Sequence, residues 1–267
     1  MSSRRMKTLV IFMLITANVF LAAIYLTRVV SDRAETDRAN REISEIAGRF
    51  GVKISPDAIP DAAPDMLSFE IRRRTELERE IVHAFFQEFV TEDRGGGIYF
   101  YESQSGYMEF RSGGYIDVFF RNQAASQTDI KGLEHLLQSF GISLKDVQLS
   151  ENGSRYTVLR IQDGSPVFNN SLDIDFNENG FYKVSGRWSF GEIVPVNVGD
   201  IKDPATLILR FAEMSAAESI GEITGINVGY ASFSTSPDKT IFIPVWQIST
   251  SDGIRYLNMQ NSAAEQV

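Results

Sequence analysis

Residues 155–190 read RYTVLRIQDGSPVFNNSLDIDFNENGFYKVSGRWSF, and their alternation decides the fold class. Three runs, RYTVLRI, PVFNNSLDIDF and FYKVSGRWSF, alternate apolar with polar positions and are separated by Asp163-Gly164 and Asn179-Gly180. Such dipeptides suit the tight turns that join antiparallel strands, so the stretch predicts a meander. Immediately upstream, TDIKGLEHLLQSFGI (128–142) offers Thr128 or Asp129 as a helix cap. It then places Ile130, Leu133, Leu136, Leu137 and Phe140 on one stripe and stops at Gly141.

The same order, helix then strands, holds on both sides. Upstream, Leu77, Ile81, Phe85 and Phe89 form a ridge backed by Val82 and Phe86, which predicts a helix over about 69–91. GGGIYFYESQSGYMEFRSGGYIDVFFRN (95–122) follows as strands between Ile98 and Arg121. Downstream, DPATLILRFAEM (203–214) carries Asp203 as a cap and Pro204 at the first helical position. GINVGYASFST, TIFIPVWQIST and IRYLNM then read as strands around a Ser-Pro-Asp-Lys turn and a Ser-Asp-Gly turn. The expectation is an α+β fold with helices packed on one face of antiparallel sheets, and not parallel βαβ winding. Two modules are expected, 67–123 and 124–267, the second built from repeats at about 124–190 and 191–267.

The N-terminus has a different composition. KTLVIFMLITANVFLAAIYLTRVV (7–30) contains 18 consecutive uncharged residues from Leu9 to Leu26. As a helix they span about 27 Å, close to a hydrocarbon core. Ala22 and Ala23 come too early for a signal-peptide cleavage site, because Ile24, Tyr25 and Leu26 extend the apolar run beyond them. A retained transmembrane helix over 9–30 is therefore expected, with residues 1–8 cytoplasmic. Arg4, Arg5 and Lys7 precede the span, whereas Arg28 and Arg33 are soon mixed with Asp32, Glu35 and Asp37; this places the remainder outside.

Residues 31–66 are expected to form a stalk and connector. The helical stalk becomes amphipathic at Ile43, Ile46, Ala47 and Phe50, and Pro56, Pro60 and Pro64 exclude a continuous helix after it. Past the span, 23 Lys and Arg face all 35 Asp and Glu, about 12 net negative charges, which argues against nucleic acid and anionic lipid as partners. Zero cysteines exclude disulfides, thiolate metal sites and a cysteine nucleophile.

No catalytic, cofactor-binding or metal-binding constellation is read from the chain. His83 and His135 stand alone, without a second histidine at ligand spacing, and Gly95-Gly96-Gly97 lacks the Lys-Ser/Thr of a phosphate loop. Asp173 and Asp175 share a strand face and could act as paired carboxylates or bind calcium, but alternation around Ile174 explains them equally as a solvent face. Trp188 and Trp246, with Tyr99, Phe100, Tyr101, Phe119 and Phe120, read either as a ligand groove or as core. In the span, Thr16, Phe20, Ala23 and Thr27 fall on one helical stripe with Asn18 nearly opposite, a pattern suited to close helix contact in lipid.

Four features together resemble the YycI/YycH family of membrane-anchored accessory proteins, and they are closer to YycI. These are the basic start with its single apolar span, GSPVFNNSLDIDFNENGFYKVSGRW (164–188), GINVGYASFS (225–234) and IPVWQISTSDGIRYLN (243–258). The last stretch is similar also to PepSY-like and YpeB-like modules. The resemblance implies a non-catalytic regulator of a sensor histidine kinase in a cell-wall two-component system of Gram-positive bacteria. It acts through transmembrane and outer-domain contacts together with a YycH-like protein. A PepSY-like module that binds a peptide, a wall fragment or a hydrolase is the alternative.

Overall fold

A computed structural model describes residues 3–122, 124, 127–197, 199, 201–215, 221–260 and 264–265. The elements run α1 (Ser3–Arg49), β1 (Lys53–Ile54), β2 (Ser68–Arg73), α2 (Thr75–Phe85), β3 (Val90–Asp93), β4 (Tyr99–Ser103), β5 (Gly106–Phe110), β6 (Tyr115–Phe120) and α3 (Ile130–Ser139). Then come β7 (Val147–Asn152), β8 (Arg155–Gln162), β9 (Ser165–Asn177), β10 (Gly180–Arg187), β11 (Gly191–Val196) and α4 (Pro204–Ser215). The chain closes with β12 (Glu222–Ser236), β13 (Lys239–Thr250), β14 (Gly253–Asn258) and β15 (Ala264–Glu265). The fold is α+β, with a large, mostly antiparallel sheet and one long apolar helix at the N-terminus.

The chain divides into two compact units, one from residues 1–62 with 203–224 and the other from 63–202 with 225–267. The first is organised around the far end of α1. Ile43 and Ala47 are buried, as the stripe predicts, while Ile46 and Phe50 remain exposed. Leu207, Ile208, Phe211 and Ala212 of α4 are buried in the same unit, where α4 packs along α1. Asp203 caps α4, its carboxylate accepting from the Thr206 backbone N–H at 2.9 Å and from the Thr206 hydroxyl at 2.5 Å. Those bonds hold the Asp203 carboxyl below the usual carboxylate range.

The proline connector is more ordered than an extended linker. β1 pairs in parallel with the start of β12, through Lys53 with Glu222 and Ile54 with Ile223. A single 3-10 turn covers Pro56–Ala58, and the buried Ile59 carbonyl accepts from Asn40 Nδ2 of α1 at 3.3 Å. Ser44 Oγ donates to the Ile54 carbonyl at 2.6 Å. Prolines forbid a helix here but leave carbonyls free to accept side-chain donors.

In the second unit the antiparallel order β3-β4-β5-β6-β10-β9 continues through β8 to β7. The predicted meander is present, with Asp163 and Gly164 both at positive φ (48° and 74°), as a two-residue hairpin turn requires. The predicted boundary at residue 123 does not divide the sheet, because β6 pairs with β10 from Tyr115↔Arg187 to Phe119↔Lys183. Strand pairing at this separation is a non-local choice that local turn signals do not encode.

The helix predicted over 69–91 is shorter than expected. Phe69 and Ile71 belong to β2, which pairs antiparallel with both β11 and β13, and the helix covers only Thr75–Phe85. The Phe-Glu-Ile alternation satisfies a strand as well as a helix ridge, and two neighbouring strands settle it as a strand. Phe89 lies beyond the helix, yet still meets Tyr101 edge-on at 5.7 Å. Ile81, Val82 and Phe86 join Leu133, Leu136 and Leu137 of α3 in one core with Met108, Val118, Ile174 and Val184 of the strands. Each such fully buried aliphatic side chain contributes about 1.5–3 kcal/mol.

Candidate functional site

Among the described residues, one helix is long and apolar enough to cross a membrane, and the apolar part of it is not buried by the protein. Thr16, Asn18, Phe20, Ala23 and Thr27 are all exposed on α1. The polar members are bonded to their own helix: Thr16 Oγ1 donates to Phe12 O at 2.9 Å, Asn18 Nδ2 to Leu14 O at 2.9 Å and Thr27 Oγ1 to Ala23 O at 2.8 Å. These back-bonds lower the cost of placing the side chains in hydrocarbon. They leave the Asn18 carbonyl oxygen as an acceptor for another helix. Beyond the span, α1 continues without a break through the charged stalk to Arg49.

The second feature is a cavity of about 660 Å³ within the second unit, walled by α2, the end of α3, the end of β8 and the segment Trp188–Gly191. Its α3 wall is set by the helix terminus. Gly141 adopts φ +72°, its N–H donates to Gln138 O at 2.9 Å, and the Ile142 N–H donates to Leu137 O at 2.9 Å. This is the two-bond glycine termination that turns the chain off the helix, and it brings Ile142 and Ser143 to the cavity.

Arg160 reaches the same cavity from β8, and it is 8% exposed. Tyr156, Val158 and Arg160 alternate on the inward face of the strand. The ladder with β9 shifts at this point, from Leu159↔Ser171 to Ile161↔Pro166, so Arg160 has no partner residue on β9. Irregularities of this kind re-aim a side chain. The guanidinium Nη1 donates to the Ser189 carbonyl at 3.0 Å, and the guanidinium lies 5.0 Å from the Trp188 ring and 5.1 Å from the Phe242 ring. No carboxylate of the described residues lies within ion-pairing distance of it. Burial pulls its ionisation down to about 10, with Asp146 opposing the shift, so it stays charged at neutral pH.

The other sequence candidates are not brought to this cavity. His83 and His135 are exposed, and the His83 ring packs 4.8 Å from Phe89. Asp175 is engaged by Arg155 at 2.6 and 3.2 Å, and Asp173 accepts from Thr157 Oγ1 at 2.7 Å with Arg155 at 3.5 Å. That arrangement fits a cross-strand charge cluster rather than an open calcium site. Tyr101, Phe120 and Trp246 are core, and Phe100 and Phe119 each stack on Tyr107. Trp188 satisfies both readings, being 6% exposed and also part of the cavity wall. Arg160 itself escaped the sequence reading, although its signal was there: a cation in phase with Tyr156 and Val158 on a half-buried strand.

No protein family and no curated protein matches the chain. Among solved structures it is similar to an uncharacterized protein from Eubacterium rectale, with a TM-score of 0.48 and 10% identity, covering 76% of this chain and 86% of that one.

Proposed function

We propose that the chain is a membrane-anchored, non-catalytic regulator of a sensor histidine kinase controlling cell-wall metabolism. Its N-terminus is cytoplasmic, its outer units are extracytoplasmic, and it works beside a YycH-like protein in the same membrane. The observation that carries this reading is the unbroken α1, about 70 Å long at 1.5 Å per residue, whose far end packs on α4 in the first unit. A continuous helix joined to a folded unit transmits rotation and translation, whereas a flexible linker only tethers. The resemblance of the quoted stretches to YycI supplies the identity of the partner. Regulation follows if the span contacts one state of a two-state kinase better than the other, since differential affinity is what shifts such an equilibrium.

Exchanging residues 9–30 for an unrelated apolar helix of equal length is expected to abolish co-purification with the kinase while leaving the protein in the membrane. Unchanged co-purification together with unchanged target-gene output overturns contact through the span. A binding module is the second reading, and the cavity around Arg160 favours it.

A further inference from the structure

We propose that the cavity beside Trp188 is a binding site for a ligand carrying a single carboxylate, of the kind a free peptide C-terminus presents, with Arg160 as its anchor. The proposal names the ligand class for the binding-module reading, and it does not depend on control of a kinase.

Two arginines of the second unit, Arg73 and Arg160, stand in contrasting surroundings. Arg73 is mostly shielded, its side chain 10% exposed, and it is neutralised by a bidentate bond to Glu78 at 2.5 and 2.9 Å. Arg160 is comparably buried and has one backbone carbonyl as its hydrogen-bond partner among the described residues. A buried cation without a counter-ion is costly, and its cost falls when an anion arrives. Among the described residues Nε and Nη2 have no hydrogen-bond partner, and neither is among the sealed, unsatisfied polar atoms there, which are those of Asn170, Ser232 and Trp246. Two donors of a planar fork open to a cavity match the two oxygens of a carboxylate.

The walls narrow the class further. Arg160 is the sole cation among the described lining residues, whereas Glu80, Asp146 and Asp163 are exposed carboxylates that line the same cavity. A multiply charged phosphate meets three like charges there, so the cavity disfavours it. A ligand with one carboxylate at Arg160 and a neutral or cationic group toward those acids meets no such repulsion. Ile81, Phe140, Trp188 and Phe190 provide apolar wall for an aliphatic or aromatic side chain next to the carboxylate. A volume of about 660 Å³ lies in the ordinary range for small-ligand sites.

The test uses the full chain in lipid nanodiscs and isothermal titration calorimetry. Three probes are used: a pool of tripeptides with apolar C-terminal residues as free acids, the same pool as C-terminal amides, and inorganic phosphate. A charge-assisted bond of about 1.5–3 kcal/mol predicts that the acids bind about 10- to 100-fold more tightly than the amides. Phosphate is expected not to compete. Arg160→Gln is expected to erase the preference for acid over amide, and Arg160→Lys to retain part of it. Equal affinity for acids and amides, no binding of the acids, or an undiminished preference in Arg160→Gln overturns the proposal. So does competition by phosphate. The acid-against-amide comparison on the unaltered chain needs no variant, so a folding defect in either substitution leaves the test intact. Failure here does not touch co-purification with a kinase, and failure of co-purification does not touch this binding.

Discussion

Glu78→Ala is expected to destabilise the second unit by about 3–5 kcal/mol, because it strands a buried guanidinium. Glu78 is 3% exposed, and it receives Arg73 Nε at 2.5 Å and Nη2 at 2.9 Å. Arg73 Nη1 donates to the Gly97 carbonyl at 2.5 Å, so one side chain ties the end of β2, the first turn of α2 and the turn before β4 together. Burial pushes the Glu78 carboxyl above the usual carboxylate range, and the guanidinium opposes that push. The pair therefore persists through geometry that satisfies both partners at once, and removing one partner leaves the desolvation cost without the attraction. The measurement is denaturant unfolding followed by tryptophan fluorescence, since both tryptophans, Trp188 and Trp246, lie in this unit. A loss of that size corresponds to a drop in melting temperature on the order of 10 °C. The double variant Arg73→Met/Glu78→Leu is expected to recover much of the loss, because no charge is left buried. A double variant that loses the sum of the two single changes contradicts this account of the pair.

The second large effect concerns α1. Placing Asp37→Gly and Arg38→Pro in the exposed stalk removes a backbone hydrogen bond, inserts a ring against the preceding turn and costs the helix about 4 kcal/mol locally. Neither residue lies in the second unit, so that unit is expected to melt as before, and the span is untouched. On the proposed function, the protein stays in the membrane and still meets its kinase, but its effect on target-gene output is lost. Transcription from a kinase-dependent promoter reads this directly. Full control by the broken-helix variant shows that α1 is a tether alone and removes mechanical coupling from the account.

The features that were legible in the sequence are those governed by a few adjacent residues. Asp163-Gly164 sets a hairpin because both positions need positive φ, and Asp129 caps α3 through the Gly132 N–H at 2.9 Å. Asp203 and Pro204 mark the start of α4 in the same local way. What stayed hidden depends on distant partners. Phe69 and Ile71 become strand because β11 and β13 flank them, and β6 joins β10 because the α2 and α3 stripes cover one continuous core. The apolar stripe of α4 predicts that something covers it, but not that α1 does.

The candidate site divides along the same line. Thr16, Asn18 and Thr27 are visible as polar breaks in an apolar run, yet their bonds to carbonyls four residues back appear only with the helix in place. Trp188 could be named from the sequence as core or groove, and it is both. Arg160 is the instructive omission. A charged residue in phase with buried neighbours is a conflict between pattern and chemistry, and such conflicts collect at functional positions. The missing carboxylate beside it, however, depends on the fold of residues as distant as Asp146 and Ser189.

The central claim is that α1 stays in the membrane and holds the folded units outside. Its most direct test is the intact mass and protease accessibility of the protein from its native cells. The account predicts a chain that keeps residues 9–30 in the membrane fraction, released by detergent and not by salt. It also predicts that protease added to intact cells removes the folded units and spares the first residues. A mature chain free in the medium, beginning near Ala23 and still performing its role, would contradict it.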